Sequence, residues 1–111
     1  MRRLFFVLLF VFAGAVSGCG PVKPMPESEF KGFCYQYGDG SQGGGCGDII
    51  AICDEYVTVL NMSHGSQSAC IDACRAIEGP QAGRYVFTGC AGGVAHAAAW
   101  CERSCRTAYQ K

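Results

Sequence analysis

Apolar residues recur at spacings of three and four positions in three stretches of the chain, a pattern typical of helices with one buried face. In the first stretch, which begins at Gly47, the pattern consists of Ile49, Ile50, Cys53, Tyr56, Val57 and Leu60. Asp48 lies where the positive end of a helix dipole favours an acid. The polar segment 61–65 indicates where this first predicted helix ends.

The second stretch predicts a helix whose buried face carries the cysteine pair Cys70 and Cys74 together with Ile77, at positions i, i+4 and i+7. Either Ser66 or Ser68 can cap its amino terminus with a side-chain oxygen. The Gly-Pro dipeptide at 79–80 is typical of a helix that has just ended, because proline cannot continue it. We therefore predict that this helix stops before residue 80.

The third stretch, from about Gly93 to Ala108, is rich in alanine and strongly helix-forming. Its buried stripe is predicted to be Val94, Ala98, Cys101, Cys105 and Ala108. Arg106 and Lys111 suit the negative carboxyl end of a helix dipole. This segment is the third predicted helix.

Two short segments have a composition that favours strands. In 30–37, Phe33, Tyr35 and Tyr37 alternate with other residues, which predicts a short strand or an extended arm packed across the helices. The segment 84–88 is β-prone and is bounded by turn residues. The predicted fold class is mainly α: a small three-helix domain held by disulfides, with glycine-rich loops and one or two short strands.

An almost unbroken apolar run from Leu4 to Val16 follows Arg2 and Arg3. A helix of this length reaches about 20 Å, short of the roughly 30 Å hydrocarbon core of a bilayer. Basic residues, a short apolar run and small residues before a cleavage point are the parts of a secretory signal. The residues Val16-Ser17-Gly18-Cys19 that end this segment resemble the lipobox of bacterial lipoprotein precursors.

The lipobox resemblance implies that residues 1–18 are a signal peptide and that Cys19, carrying a diacylglyceryl group, is the first mature residue. The protein is then bound to a membrane of the cell envelope through its lipid, and two or more acyl chains make this attachment durable. Gly20 stands where an aspartate would retain an enteric-type lipoprotein in the inner membrane. The resemblance therefore implies the outer membrane, with the domain facing the periplasm.

The mature chain is predicted to have two parts. Residues 19–33 form a tether, because Pro21, Pro24 and Pro26 favour an extended, polyproline-like conformation as far as Glu29. Residues 34–111 form the cysteine-rich helical domain. Its glycine-rich segment 38–47 lacks the residues of a phosphate-binding loop, so we interpret it as a surface loop.

Cysteine usage supports export independently. The chain has nine cysteines, and assigning Cys19 to the lipid leaves eight, enough for four disulfides in an oxidising compartment. These eight are Cys34, Cys46, Cys53, Cys70, Cys74, Cys90, Cys101 and Cys105.

Two predicted helices each carry a C-x3-C pair, whose members lie one turn apart on the same face and point at a common neighbour. The antiparallel register of two such helices predicts the bonds Cys70–Cys105 and Cys74–Cys101. This arrangement resembles the twin C-x3-C helical hairpin of small mitochondrial intermembrane-space chaperones. The resemblance concerns geometry and not function, and the 26 residues between Cys74 and Cys101 exceed the spacing in that family.

The other four cysteines leave the pairing open. Cys46 and Cys53, if both are helical, lie about 10 Å apart and cannot bond directly. Each is therefore expected to reach either Cys34 or Cys90.

A second interpretation assigns metal binding or thiol exchange to the C-x3-C cysteines Cys70, Cys74, Cys101 and Cys105. His64 and His96 offer additional nitrogen ligands. Zinc and redox motifs usually use C-x2-C, which does not occur in this sequence. We therefore predict structural disulfides, no metal and no cofactor, and we interpret both histidines as surface or packing residues.

No catalytic residue is predicted. Asp54 and Glu55 are adjacent, so on a helix they point to different sides and do not form a carboxylate pair. Serines near His64 suggest a nucleophile with its base, but the nucleophile-elbow motif is absent. These serines are Ser63, Ser66 and Ser68.

Charge and composition limit the partners. The chain carries nine basic and nine acidic side chains, and removal of the signal leaves seven against nine, without the basic patch that nucleic acid binding requires. We expect a non-enzymatic binding or structural module whose partners are the membrane and an envelope protein; no small-molecule ligand is indicated. The predicted contact surface is aromatic: Phe30, Phe33, Tyr35, Tyr37 and Trp100. The alternative is that these side chains fill a core poor in large residues.

Overall fold

The structure, a computed structural model, describes residues 25–39 and 45–110. These residues form, in order, helix α1 (Glu27–Tyr35), a 3-10 helix (Gln36–Asp39), α2 (Ile49–Leu60), α3 (Gln67–Arg84) and α4 (Ala91–Ala108), and they contain no strand. The mainly α, disulfide-bonded fold class is confirmed, with one helix more than predicted. The predicted signal peptide 1–18, Cys19 and residues 40–44 of the glycine-rich loop lie outside the described residues.

Helix α1 replaces the strand predicted over 30–37 and the extended tether predicted as far as Glu29. Its buried face is formed by Phe30 and Cys34, four residues apart and both fully buried, so the helical period outweighs the alternation of the aromatic residues. Glu27 lies in the first turn, where the dipole favours an acid, and its carboxylate lies 2.9 Å from Nζ of Lys31. Packed helical structure therefore begins at Glu27, ahead of the predicted domain boundary at residue 34.

Helix α2 occupies the segment predicted for the first helix. Its buried residues are Ile49, Ile52, Cys53, Tyr56, Val57 and Val59. Two residues predicted on this face lie elsewhere: Ile50 is 57% exposed, because it falls off the i, i+3, i+4, i+7 stripe that starts at Ile49, and Leu60 is half-buried.

Helix α3 is longer than predicted. Ser66 is the N-cap, and its hydroxyl accepts a hydrogen bond from the Ala69 backbone N–H at 3.1 Å. The helix continues through Pro80 although this residue has no N–H to donate. Beyond it, Nε2 of the buried Gln81 donates to the Ile52 carbonyl oxygen at 3.1 Å, a tertiary contact that holds the last turn.

The β-prone segment 84–88 is not a strand. Arg84 is the last residue of α3, and residues 85–90 form a hydrogen-bonded turn that leads into α4. In that turn the Thr88 backbone N–H donates to the Tyr85 carbonyl oxygen at 3.1 Å. Local β propensity is outweighed by the short connection between two antiparallel helices.

Helix α4 begins at Ala91, slightly earlier than predicted, and contacts all three other helices. Its buried residues are Gly93, Val94, Ala97, Ala98, Cys101, Ser104 and Cys105. Ala108, which was predicted on this stripe, is exposed. Helix α4 is therefore the central element against which α1, α2 and α3 pack.

The bundle has two distinct ends. At the proximal end, where the described chain begins, Oγ of Ser104 donates to Sδ of Met25 at 3.4 Å, and Nδ2 of Asn61 donates to the Glu27 carboxylate at 3.3 Å. At the distal end, a disulfide joins Cys46, just before α2, to Cys90, just before α4. These two ends are named proximal and distal below.

Candidate functional site

All eight cysteines in the described residues are paired. The bonds are Cys34–Cys53, Cys46–Cys90, Cys70–Cys105 and Cys74–Cys101, with Cα–Cα distances of 6.0, 4.9, 5.6 and 5.9 Å. The last two join α3 to α4 in the pairing that the antiparallel register predicts. The first joins α1 to α2, and the second closes the distal end.

The two disulfides between α3 and α4 lie against each other in the core. Sγ of Cys74 is 3.6 Å from Sγ of Cys105 in the neighbouring bond, and the sulfurs of Cys74, Cys101 and Cys105 all lie within 4.8 Å of one another. Zinc binding and disulfide attack both require a thiolate. Because every one of these sulfurs is bonded to another, the cluster is structural in the state described.

The surface between α1 and α4 carries four rings and one guanidinium group, which together we call the aromatic face: Phe33, Tyr37, His96, Trp100 and Arg103. The Phe33 and Trp100 rings stack in parallel, with centroids 4.3 Å apart and planes at 2°. The Arg103 guanidinium lies 4.9 Å from the centroid of the Trp100 ring. On α4, positions 96, 100 and 103 share one side, because they are spaced four and three residues apart.

The two histidine contacts and a pair of glycines fix this face in place. Nε2 of His96 lies 3.0 Å from the Phe33 carbonyl oxygen, and its ring centroid lies 5.2 Å from that of Tyr37. A Cβ at Gly92 would lie 3.1 Å from Cζ of Tyr37, and one at Gly93 would lie 3.4 Å from its Cδ1. The glycines, which disfavour a helix interior, thus allow the tyrosine ring to lie directly on α4.

The aromatic residues of the predicted contact surface do not all lie on one surface of the folded protein. Phe30 is fully buried in the core, so its prediction as a contact residue is wrong. Tyr35 turns toward α2, and its hydroxyl donates to Oδ1 of Asp54 at 2.5 Å. Partial burial raises the pKa of Tyr35 above its ordinary value, and the hydrogen bond to Asp54 raises it further.

Phe33, Tyr37 and Trp100 stay half-buried at the surface. The sequence analysis did not assign His96 or Arg103 to this surface. Their spacing from Trp100 is the signal that could have identified them, because residues three and four apart share a side of a helix. A shallow concavity of 260 Å³ beside Phe33 is lined by Glu29, Gly32, Phe33 and Gln36.

A second concavity, of 350 Å³, lies between α2 and α3 and is lined by Glu55, Thr58, Ala76, Ile77, Pro80 and Arg84. Its charged groups are engaged with each other: the Arg84 guanidinium lies 3.0 Å from the Glu55 carboxylate, which also accepts a hydrogen bond from Gln81. This carboxylate raises the pKa of Arg84. Asp54 and Glu55 thus lie on different sides of α2, as predicted, and each contacts a different helix.

His64 and Ser66 have structural contacts. Nε2 of His64 lies 2.8 Å from the Val59 carbonyl oxygen, and its backbone N–H donates to the Tyr109 hydroxyl at 2.7 Å. Ser66 caps α3. These contacts hold the proximal end of the bundle together. They engage His64 and Ser66 with other groups rather than with each other, so the two residues do not form a nucleophile and its base.

No protein-family model, no curated protein and no solved structure matches this chain. Among residues 25–39 and 45–110, no helix is long and apolar enough to span a membrane.

Proposed function

We propose that this protein is a non-enzymatic binding module of the bacterial cell envelope, attached to the outer membrane by a lipid on Cys19. The observation that carries the proposal is the cysteine count. The eight cysteines of the domain bond to one another, and the ninth, Cys19, stands alone in the sequence Val16-Ser17-Gly18-Cys19. A lipidated thiol accounts for the odd cysteine of an exported protein.

The disulfides support the envelope location. Four bonds in a small domain are expected in an oxidising compartment and are rare where thiols are kept reduced. Among residues 25–39 and 45–110, eight of the seventeen buried apolar side chains are cysteines, so this core depends on the disulfides for much of its volume. A domain of this kind is expected to fold after export.

The aromatic face is the binding surface that we assign to an envelope protein. Tryptophan, tyrosine and arginine are the residues most often found at the energetic centres of protein interfaces. Trp100, Tyr37 and Arg103 are all on this face. The Trp100 ring stacks on Phe33 and lies under the Arg103 guanidinium, and the Tyr37 ring packs against His96. A surface ordered before binding loses little conformational entropy when a partner docks.

Lipidation is tested by the intact mass of the full chain expressed in a bacterium with an outer membrane. We expect a mature protein that begins at Cys19, carries the added mass of its acyl chains and partitions into detergent. The matched control is Cys19→Ser, which is expected to lack the lipid. A wild-type protein with an unmodified Cys19 contradicts the proposal.

The binding surface is tested by crosslinking in intact cells, comparing wild type with the paired variant Phe33→Ala and Trp100→Ala. Met62→Ala, which removes an exposed apolar side chain in the segment that follows α2, is the matched control. We expect the paired variant to lose a crosslink that wild type and the control retain. Equal crosslinking in all three proteins contradicts the assignment.

The second candidate is a metal-binding or thiol-redox protein, because three sulfurs lie within 4.8 Å of one another between α3 and α4. Native mass before and after reduction separates the two candidates. Four closed disulfides give an oxidised protein eight hydrogens lighter than the reduced one, as the binding module requires. Free thiols or a bound metal in the protein as isolated support the second candidate.

A further inference from the structure

The turn between α3 and α4 exposes two adjacent apolar side chains. Phe87 is 98% exposed and Val86 is 54% exposed. The turn that carries them is held by the Thr88 hydroxyl, which donates to the Tyr85 carbonyl oxygen and accepts from the Cys90 backbone N–H, and by the disulfide of Cys90. The backbone that carries Phe87 is therefore held in one conformation. We call residues 85–88 the distal tip.

The size of the distal tip determines what can cover it. A stable interface between proteins buries about 800 Å² on each partner. A phenylalanine side chain contributes at most about 250 Å², and the neighbouring Val86 adds less. Two residues on a narrow turn are thus too small an area for a second copy of this chain. A bilayer needs no complementary surface and accepts a single inserted side chain.

The length of the chain permits this contact. Met25 is six positions after Cys19, a reach of about 21 Å when fully extended. Ser104, which contacts Met25, is fourteen positions after Cys90, a rise of about 21 Å along α4. The chain between the lipid and the domain is therefore long enough for the distal tip to touch the membrane that holds Cys19.

We propose that the distal tip inserts Phe87 and Val86 into the same membrane leaflet that holds the lipid on Cys19; this inference rests on the proposed lipid attachment. Burial of one phenylalanine favours the membrane only on the order of 10- to 100-fold, too little to hold a free protein there. The lipid keeps the tip at a high effective concentration near the bilayer, so that a weak contact is occupied. The expected contact is apolar. The mature chain has seven basic and nine acidic side chains and therefore no net positive charge that would attract an anionic membrane surface.

The test uses the only tryptophan of the chain as a depth probe. In the variant Phe87→Trp with Trp100→Phe, the single tryptophan lies at the distal tip; in the wild type it lies on the aromatic face. Both lipidated full-length proteins are reconstituted into phosphatidylcholine vesicles with brominated acyl chains. We expect at least a twofold stronger quenching of the tryptophan at 87 than of Trp100.

The outcomes separate the inference from the proposal on which it rests. A protein that does not float with the vesicles shows that lipid attachment has failed. A protein that floats but whose tryptophan at 87 is not quenched overturns the insertion of the tip. A blue-shifted but unquenched tryptophan at 87 also overturns it, because a protein surface then covers the tip.

Discussion

The disulfides Cys70–Cys105 and Cys74–Cys101 are nested, so each one can partly replace the other. Paired alanine substitutions remove the outer bond (Cys70→Ala with Cys105→Ala), the inner bond (Cys74→Ala with Cys101→Ala), or both. While one bond remains, removing the other opens only the small ring that the two bonds close together with the short segments 70–74 and 101–105. The free energy of unfolding should therefore fall by less than the large loops suggest.

The magnitudes follow from the sizes of the closed loops. In the chain-entropy treatment, a ring of about eight residues contributes about 2.5 kcal/mol, which is the expected loss for either single removal. The last remaining bond closes a loop with a sequence separation of 35 or 27 residues, which corresponds to about 3.5–4 kcal/mol. Removing both bonds should thus lower the free energy of unfolding by about 6 kcal/mol, roughly 1 kcal/mol more than twice the single loss.

Guanidinium denaturation followed by far-UV circular dichroism, with the remaining disulfides oxidised, measures these losses. The matched control removes Cys34–Cys53, whose loop shares no residue with the loop 70–105. Combining this removal with that of the outer bond should be additive within about 0.5 kcal/mol. A double loss between α3 and α4 that is no larger than the sum of the two single losses would refute the nested arrangement.

Two substitutions test the packing around the rings of Tyr37 and Tyr56. Gly92→Ala should lower the free energy of unfolding in the same denaturation assay, because the added Cβ would meet the Tyr37 ring. The control Gly79→Ala, whose Cβ would meet nothing within 4 Å, should raise it by about 0.5–1 kcal/mol. A rise in both variants contradicts the contact with Tyr37. Tyr56→Phe should raise stability by about 1–3 kcal/mol, because the buried Tyr56 hydroxyl has no hydrogen-bond partner among the described residues. Burial raises the pKa of Tyr56, so the phenol ionises in the unfolded chain at a lower pH than in the folded protein. The wild type therefore keeps its full stability below about pH 10 and loses stability as the pH rises further, and the stability gained by Tyr56→Phe should increase above about pH 10. Equal gains at about pH 8 and about pH 11 contradict this expectation.

The helices α2 and α4 could be predicted from the sequence, because each is long enough for the three-and-four spacing to repeat several times. Helix α1 could not, since in nine residues the spacing from Phe30 to Cys34 competes with the alternation of three aromatic residues. Tertiary packing decides that competition by burying Phe30. The end of α3 was missed for a similar reason: the contact from Gln81 to α2 outweighs the local stop signal at Pro80.

The disulfides between α3 and α4 were predictable because helical spacing alone aims each C-x3-C pair at a common neighbour. The aromatic face was not predictable to the same degree. On a strand, Phe33, Tyr35 and Tyr37 would share one side. In the helical structure that this segment adopts, Tyr35 instead contacts α2, whereas Phe33 and Tyr37 contact α4. Which aromatic residues stay at the surface therefore depends on the secondary structure of a segment whose pattern is ambiguous.

The distribution of large side chains supports the proposed binding surface over the alternative that the aromatic residues only fill the core. If the aromatic residues served only to enlarge a small core, they would be buried, as Phe30 is. Instead cystines contribute much of the core beside its isoleucines, valines and alanines, while Trp100 and Phe33 stack half-buried at the surface and Phe87 is almost fully exposed. Leaving Phe87 in contact with water forgoes about 1.5–3 kcal/mol that its full burial would contribute, and the half-buried rings forgo less. Covalent bonds between the helices stabilise this arrangement, which leaves the aromatic side chains available for the partner and membrane contacts that we propose.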